Sequence, residues 1–597
     1  MSDSLDKLNA EQLAAVNADG NILLVSCPGS GKTRTLIHKI ARELAEVDSH
    51  RQFVIALTYT HVAANEVEDR ISGMGISTDQ LWVGTIHSFC LEWIIRPYAI
   101  YHPALRDGFR VIDTFDQEVM LDSIAKQHGL RSRFDCSHFA TSTGYEIDLS
   151  TSQRNRPLVI AAVEQYHEEL NALRAIDFEM MLKYAADLIR DNKQIAQRLS
   201  RLFRLIAVDE YQDTREIQYQ ILACIFRATG SSARLFMVGD PNQAIFTSLG
   251  GLALPHEELT GMTGLTISEM SLSQNYRSSE ERVDYFSRFQ VSPMDIVASG
   301  HLRDWSGNVT YNRTVDRSQL PTHLEELIRY NIETLHIDPS EICVVAPFWI
   351  HLASVTRALV RSMPEYEFNG PGLTPFGENR DNFWFKLARI SLTEASPRHF
   401  YTRLRWAQEV IDLLVECRAT TDDLAPRTLL RFSNSVSLDT QDGVKFLRDF
   451  FDAFLNEYSI SLDTHEGLKH QHDSFFERMH NRISRVERDE GVSLNDLETF
   501  KKVFRPKSGV TVSTVHGVKG AEFDTVIAFA LYEGALPHFN EPDKTTAANR
   551  SLFVISSRAR KNLHLISERG RFDYRGDEQR PTQVLAAAAF DYSNEVA

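Results

Sequence analysis

Cysteine is scarce: six residues in 597, at positions 27, 90, 136, 224, 343 and 417, with no CxxC pair among them. That spacing argues against both a disulfide framework and a zinc site, and leaves Cys27, Cys90, Cys136, Cys224, Cys343 and Cys417 as reduced, mostly buried thiols. No run of about 18 uncharged apolar residues occurs. The opening MSDSLDKLNAEQ has neither a basic start nor an apolar core, so export and membrane insertion are not indicated and a cytoplasmic chain is expected. Positive charge is in deficit, 64 Lys and Arg against 81 Asp and Glu, for a net charge of −17. This is the wrong sign for a protein that coats nucleic acid nonspecifically, but it leaves room for a groove lined by a few local basic residues. What is present is 43% hydrophobic and 24% charged residues, the make-up of a globular chain with several cores, and the length implies three to five domains.

The rest of the chain is organised around ILLVSCPGSGKTRTLIHKI, Ile22 to Ile40. An apolar strand runs into a turn with Gly29, Ser30 and Gly31, followed by a helix carrying Leu36, Ile37, Ile40 and Leu44 on one face. Glycines let successive N–H groups point inward, and the start of the helix adds positive potential. Lys32 is then placed to reach β- and γ-phosphates, and the Thr33 hydroxyl to ligate Mg²⁺. The strict phosphate-loop pattern puts glycine where this chain has Ser26.

Upstream, Gln12 lies on a short helix, and its amide can read an adenine edge. Downstream, Phe53 to Leu57 form a strand ending in TYTHVAANEVEDRI, and VGTIHSFC follows from Val83 to Cys90. Ligands bind at the carboxyl edge of such parallel strands. Residues 91–200 show helical periodicity and no glycine-rich chemistry. RLIAVDEYQDT, Arg204 to Thr214, is an apolar strand ending in paired carboxylates: Asp209 suits the Mg²⁺ shell and Glu210 the attacking water. RLFMVGDPNQAIF follows, with Gln243 placed to sense the γ-phosphate and Phe246 to face a base. LSQNYRSS then offers Tyr276 as an aromatic platform and Arg277 as an arginine finger.

These blocks, in this order, resemble the UvrD/Rep family of superfamily 1 helicases. Gln12 is similar to the Q motif, SCPGSGKT to motif I, LTYTHVAANEVEDRI to motif Ia, VGTIHSF to motif Ib, VDEYQDT to motif II, VGDPNQAIF to motif III and QNYRSS to motif IV. GVTVSTVHGVKGAEFDTVIAF, Gly509 to Phe529, resembles motif V, and RSLFVISSRARK, Arg550 to Lys561, motif VI. DFEMML at Asp177 resembles the family segment leading back into the first core.

The resemblance implies an α/β fold of two RecA-like P-loop domains with parallel sheets, each interrupted by a mainly helical insertion. The first core would be 1–90 with 201–280, its insertion 91–200, the second core 281–390 with 506–597, and a shortened second insertion 391–505. It implies ATP and Mg²⁺ as cofactors. Ser26, Cys27, Pro28, Gly29, Ser30, Gly31, Lys32, Thr33 and Arg34 form the phosphate loop; Gln12, Tyr276, Gly520 and Glu522 complete nucleotide binding. Glu210, Lys32, Gln243, Arg277 and Arg558 serve catalysis, and Thr33 and Asp209 the metal. Tyr59, Thr60, His87, Phe246, His516 and Lys519 are the expected nucleic-acid contacts. The implied activity is ATP-driven 3′–5′ translocation on single-stranded DNA, or duplex unwinding.

The chain departs from the family after Phe246. Relatives carry a Trp and then an Arg there, and this chain has Ser248 and Leu249. A lost stacking platform, worth about 1–3 kcal/mol per base, points to a weak or partner-dependent motor. The alternative is a DNA-stimulated nucleotide switch working with a partner nuclease, as in phage-defence systems such as Gabija; DNA repair is the other setting. His465, His470, His472, Asp473 and His480 lack the spacing of a metal cluster and read as a solvated helix face. Trp349 and Trp384 read as core. Nothing after motif VI resembles a nuclease domain.

Overall fold

A computed structural model describes residues 8–47, 49–112, 114–147, 155–247, 250–377, 379, 382–417, 419, 424–490, 493–505, 508–573 and 575–593. Residues 1–7, Ser248 and Leu249 lie outside them. The chain falls into two compact units, the first comprising 1–323, 345–347 and 514–597, the second 324–344 and 348–513.

The first unit is built on a six-stranded sheet: β1 (Asn21–Ser26), β2 (Phe53–Thr58), β3 (Leu81–Thr85), β4 (Phe203–Asp209), β5 (Arg234–Gly239) and β6 (Ile267–Leu272). The order is β6-β1-β5-β4-β2-β3, and every pairing is parallel. Parallel strands are covered on both faces, so their side chains are apolar in either direction. Leu23, Ile55, Leu57 and Ile206 enter one core cluster, while Ile22, Leu24, Val54, Ala56, Leu205 and Ala207 enter the other. Helix α1 (Ala10–Asn17) precedes β1, α2 (Lys32–Ala45) follows it, and α3 (His61–Gly73) follows β2. On α2 the residues Leu36, Ile37 and Ile40 seal one face of the sheet.

The stretch 91–200 is mainly helical and adds two small pairings, Arg110–Val111 with Ala175–Ile176 and His138–Ala140 with Tyr145–Ile147. Its apolar side chains merge with one face of the sheet rather than forming a core of their own. A second parallel set in this unit comprises Val309–Asn312, Phe523–Ala528 and Ala559–Ile566, with Ala559–Ile566 in the middle.

The second unit is chiefly helical, including Phe383–Leu392, Phe400–Glu416, Gly443–Glu457 and the 25-residue Glu466–Glu490. Its core is unusually aromatic, with Trp384 at the centre against Phe451 and His472. Two expectations change here. Trp349 is 63% exposed at the first position of Trp349–Ser362, where no preceding helical turn lies beneath the ring to cover it. His472 leaves the solvated face to pack edge-on against Trp384 and Phe476. Among the described residues no group of three His, Cys, Asp or Glu side chains is placed to hold a metal ion. Among them, too, no helix is long and apolar enough to cross a membrane. All six cysteines are free, four of them buried; burial, with Asp240 nearby, drives the Cys27 thiol far up and makes it unreactive.

Candidate nucleotide site and aromatic row

The turn between β1 and α2 is held from three sides. Gly29 and Gly31 have φ of 68° and 80°. A Cβ on Gly29 would lie 2.6 Å from Arg277 Cβ, and one on Gly31 2.6 Å from Gln12 Nε2, so strain and crowding both demand glycine. Asn275 Nδ2 donates to the Pro28 carbonyl (2.7 Å), and the Tyr276 N–H donates to the Gly29 carbonyl (3.0 Å). Gln12 Nε2 donates to the Ser30 carbonyl (2.8 Å) while its Oε1 accepts from the Asn9 N–H (3.0 Å), so its amide braces the loop. Ser26, at the position of the missing glycine, points away from the turn and donates from Oγ to the Gly239 carbonyl (2.8 Å), pinning β1 to β5.

A cavity of about 330 Å³ opens beside this turn, lined by Pro28 to Arg34, Glu210, Gln243, Tyr276, Arg277, Gly520, Glu522 and Arg558. Lys32 Nζ lies 3.3 Å from Glu210 Oε1. Glu210 has φ of 52°, the left-handed region that a non-glycine residue occupies at a cost of about 1–3 kcal/mol. That bend turns its carboxylate back from the strand end toward Lys32. Burial raises carboxyl pKa values, but Lys32 and Lys519 outweigh it at Glu210 and hold that group ionised, whereas burial and the adjacent Glu210 charge push Asp209 up. Gln212 links the pieces: its Nε2 donates to Glu210 Oε2 (2.5 Å), and its Oε1 accepts from the Asp240 N–H (3.0 Å).

Across the cavity, Arg277 Nε is 2.5 Å from Glu522 Oε2 and its Nη1 donates to the Ser557 carbonyl (3.0 Å). Arg558 is buried. It donates to the Val554 and Ala521 carbonyls, to Ser557 Oγ and, at 2.9 Å, to Gln243 Oε1, with no ion pair among the described residues. Burial and the Arg277 charge push it down to about 9. The lining, which also includes Glu66 and Arg70, sets Lys32, Arg34, Arg70, Arg277 and Arg558 against Glu66, Glu210 and Glu522, an excess of positive charge that suits a polyanion. Thr33 lines the cavity, while Asp209 is buried at the end of β4, its Oδ1 accepting from the Glu210 N–H (3.0 Å).

A second feature runs from the same motif. Tyr59, 44% exposed at the end of β2, packs on Phe246 with ring centroids 4.9 Å apart, and Phe246 packs on His516 at 5.0 Å. Thr60 caps α3, its Oγ1 accepting from the Ala63 N–H (3.2 Å). His87 stands apart from this row, against Phe178 at 5.4 Å. Lys519 turns inward: Nζ is 2.5 Å from Asp213 Oδ2 and donates to the Gln243 carbonyl (2.9 Å), because a buried carboxylate is a stronger partner than water. Its side chain is only 8% exposed, so it does not simply face solvent.

Three side chains that sequence reasoning passed over do much of the holding: Asn275, Gln212 and Asn242. Their motifs were quoted, but each also binds a group far along the chain: Asn275 reaches Pro28, 247 residues away, Gln212 reaches Asp240 and Asn242 reaches Ser292.

A glycine-turned phosphate loop on a parallel sheet, faced by paired carboxylates and buried arginines, defines a RecA-like P-loop architecture. The chain matches the UvrD/REP helicase N-terminal domain over residues 8–252 and the UvrD-like helicase C-terminal domain over 453–570, together more than half its length. It belongs to the UvrD/Rep helicase family. It is 29% identical over 293 residues to the ATP-dependent DNA helicase PcrA of Bacillus subtilis, covering 46% of this chain and 38% of that protein. With PcrA of Staphylococcus aureus the identity is 28% over 258 residues, 41% and 35% of the two chains. With a probable DNA helicase II homolog of Mycoplasma capricolum it is 29% over 304 residues, 48% and 41%. The match thus spans well under half the length of each of these relatives.

Proposed function

We propose that this chain is an ATP-driven DNA translocase or helicase moving 3′ to 5′ on a single strand. The observation that carries the reading is the run from Gln243 to Phe246. Three residues apart, one end bonds Arg558 in the polyanion cavity and the other lies in the aromatic row with Tyr59 and His516. A change at the cavity therefore moves the row, and stacking on such a row tolerates any base sequence.

Bound ATP with Mg²⁺ would supply the free energy of phosphoryl transfer, with Thr33 and Asp209 holding the metal. In this reading Lys32 and the N–H groups of the loop bind the phosphates, and Glu210, kept ionised by Lys32, orients the attacking water and takes its proton. Arg277 and Arg558 offset the charge that develops, and Gln243 reports it to Phe246. Arg34 belongs to the phosphate loop, Tyr276, Gly520 and Glu522 border the rest of the nucleotide, and Gln12 acts on it through the loop it braces. Residues 1–90 with 201–280, and 281–390 with 506–597, act as the two cores, with 91–200 and 391–505 as insertions.

The test is ATP hydrolysis with and without single-stranded DNA, and strand displacement from 3′- and 5′-tailed duplexes, with Lys32→Ala as the inactive control. Displacement that requires a 3′ tail supports the motor. Hydrolysis stimulated by DNA without displacement would instead mark a nucleotide switch serving a partner such as a nuclease, and no response to any nucleic acid would refute both.

A further inference from the structure

Asn242 is buried between Pro241 and Gln243 in the short turn after β5, and its side chain faces away from the nucleotide cavity. Its Oδ1 accepts from the N–H groups of Val291 and Ser292, each at 2.7 Å, and its Nδ2 donates to the Ser292 carbonyl at 2.8 Å. Three of the four bonds an asparagine amide can make are thus spent on one short piece of backbone. That piece is already shaped: Gln290 Oε1 accepts from the Met294 N–H (2.8 Å), and Gln290 Nε2 donates to the Met294 carbonyl (3.0 Å). The turn 290–294 is closed by one amide from within and gripped by a second from outside.

The grip is in fixed register with the cavity. Asp240 accepts from the Asn242 N–H at Oδ1 (3.0 Å) and from Gln243 Nε2 at Oδ2 (2.7 Å), so one carboxylate orients both residues. Gln243 in turn accepts from Arg558. Val291 and Ser292 cannot shift without pulling on Asn242, nor Asn242 without moving Gln243.

We propose that Asn242 is a positioning residue that ties the turn 290–294 to the state of the nucleotide cavity, locking the turn when Gln243 and Arg558 are drawn together and releasing it when they part. The inference rests on the ATP-hydrolysing reading above. Misplacement by about 1 Å costs on the order of 10²-fold in turnover, so the grip also works in reverse, holding Gln243 where it must be.

The measurement is amide hydrogen exchange on the full chain, with and without a non-hydrolysable ATP analogue and Mg²⁺. In the wild type, peptides spanning 288–296 exchange about tenfold more slowly with the analogue. In Asn242→Ala that nucleotide-dependent slowing disappears, while peptides over the phosphate loop stay protected and analogue affinity stays within about threefold. Asn242→Asp keeps both acceptor bonds but sets a carboxylate oxygen against the Ser292 carbonyl, so it restores only a small part of the effect, and turnover follows the same order. Gln290→Ala, outside the cavity, loosens the turn from its other side and serves if Asn242→Ala folds poorly. Exchange at 288–296 that ignores the nucleotide in the wild type, or slowing that survives Asn242→Ala and Gln290→Ala, overturns the proposal. A wild type that binds the analogue but hydrolyses no ATP would defeat the functional reading alone, since the exchange result still decides the role of Asn242.

Discussion

Gln243 Oε1 accepts a 2.9 Å hydrogen bond from Arg558 Nη2, and the two side chains are only 2% and 1% exposed although 315 residues separate them. Among the described residues Arg558 makes no direct ion pair, though Glu210, Asp240 and Glu522 lie near enough to act on its charge, so its guanidinium can still meet an anion that fills the cavity. Arg558→Ala is expected to lower ATP turnover by about 10³-fold or more, as removal of an arginine finger does. Nucleotide affinity should fall far less, because Lys32 and the loop N–H groups remain. Arg558→Lys should rescue little, since an ammonium cannot reproduce the four-way fork to Gln243, Ser557, Val554 and Ala521. Single-turnover hydrolysis alongside fluorescent-nucleotide binding separates the two effects.

Glu210 carries a different prediction, because its carboxylate is held by both Lys32 and Gln212. Glu210→Gln keeps the shape and the left-handed backbone but removes the base. Turnover should fall by about 10² to 10⁴-fold, while the melting temperature falls only by the loss of the Lys32 ion pair. A turnover loss below about threefold would remove Glu210 from the base role.

The turn and the strand end that line the cavity were legible in the sequence because their patterns are local: a glycine-lined turn and a carboxylate pair each announce themselves within a few residues. What stayed hidden was pairing at a distance. Ser26 looked like a defect until β5 supplied the Gly239 carbonyl as its partner. The Asp213 partner of Lys519, 306 residues away in the chain, was equally invisible. Trp349 read as core from its composition alone, yet at the first position of its helix no preceding turn lies beneath the ring to cover it.

Trp349 and Trp384 of the second unit give a contrast that checks this. Trp384 is fully buried, with its indole N–H donating to the Leu468 carbonyl (2.9 Å) and its ring against Phe383 and Phe451. Trp384→Ala leaves a cavity and an unpaired carbonyl, and should destabilise that unit by about 3–5 kcal/mol. Trp349→Ala should change stability by no more than about 0.5 kcal/mol. Urea unfolding followed by tryptophan fluorescence and circular dichroism reads both.

The base of α2 holds the last prediction. Glu43 is fully buried, with Oε1 3.0 Å from Lys39 Nζ and Oε2 3.0 Å from Arg204 Nε, and Arg234 also pairs with Oε2. Lys39 donates onward to the Ala18 carbonyl (2.7 Å), so the cluster ties α2 to the end of α1. Burial alone would raise the Glu43 pKa, but Lys39, with Arg234 and Arg204, draws it below the usual 4.5. A carboxyl with a depressed folded pKa stabilises the fold fully above its unfolded value and loses that contribution as pH falls through the folded one. Glu43→Gln strands the buried Lys39 cation and should cost about 3–5 kcal/mol near neutral pH. The gap between the two melting curves should then narrow below about pH 4.5, as the wild-type carboxyl takes up its proton. Replacing Lys39 and Glu43 together by methionine removes both buried charges and should recover most of the loss. A double variant as unstable as Glu43→Gln would show instead that Arg204 and Arg234 depend on the carboxylate.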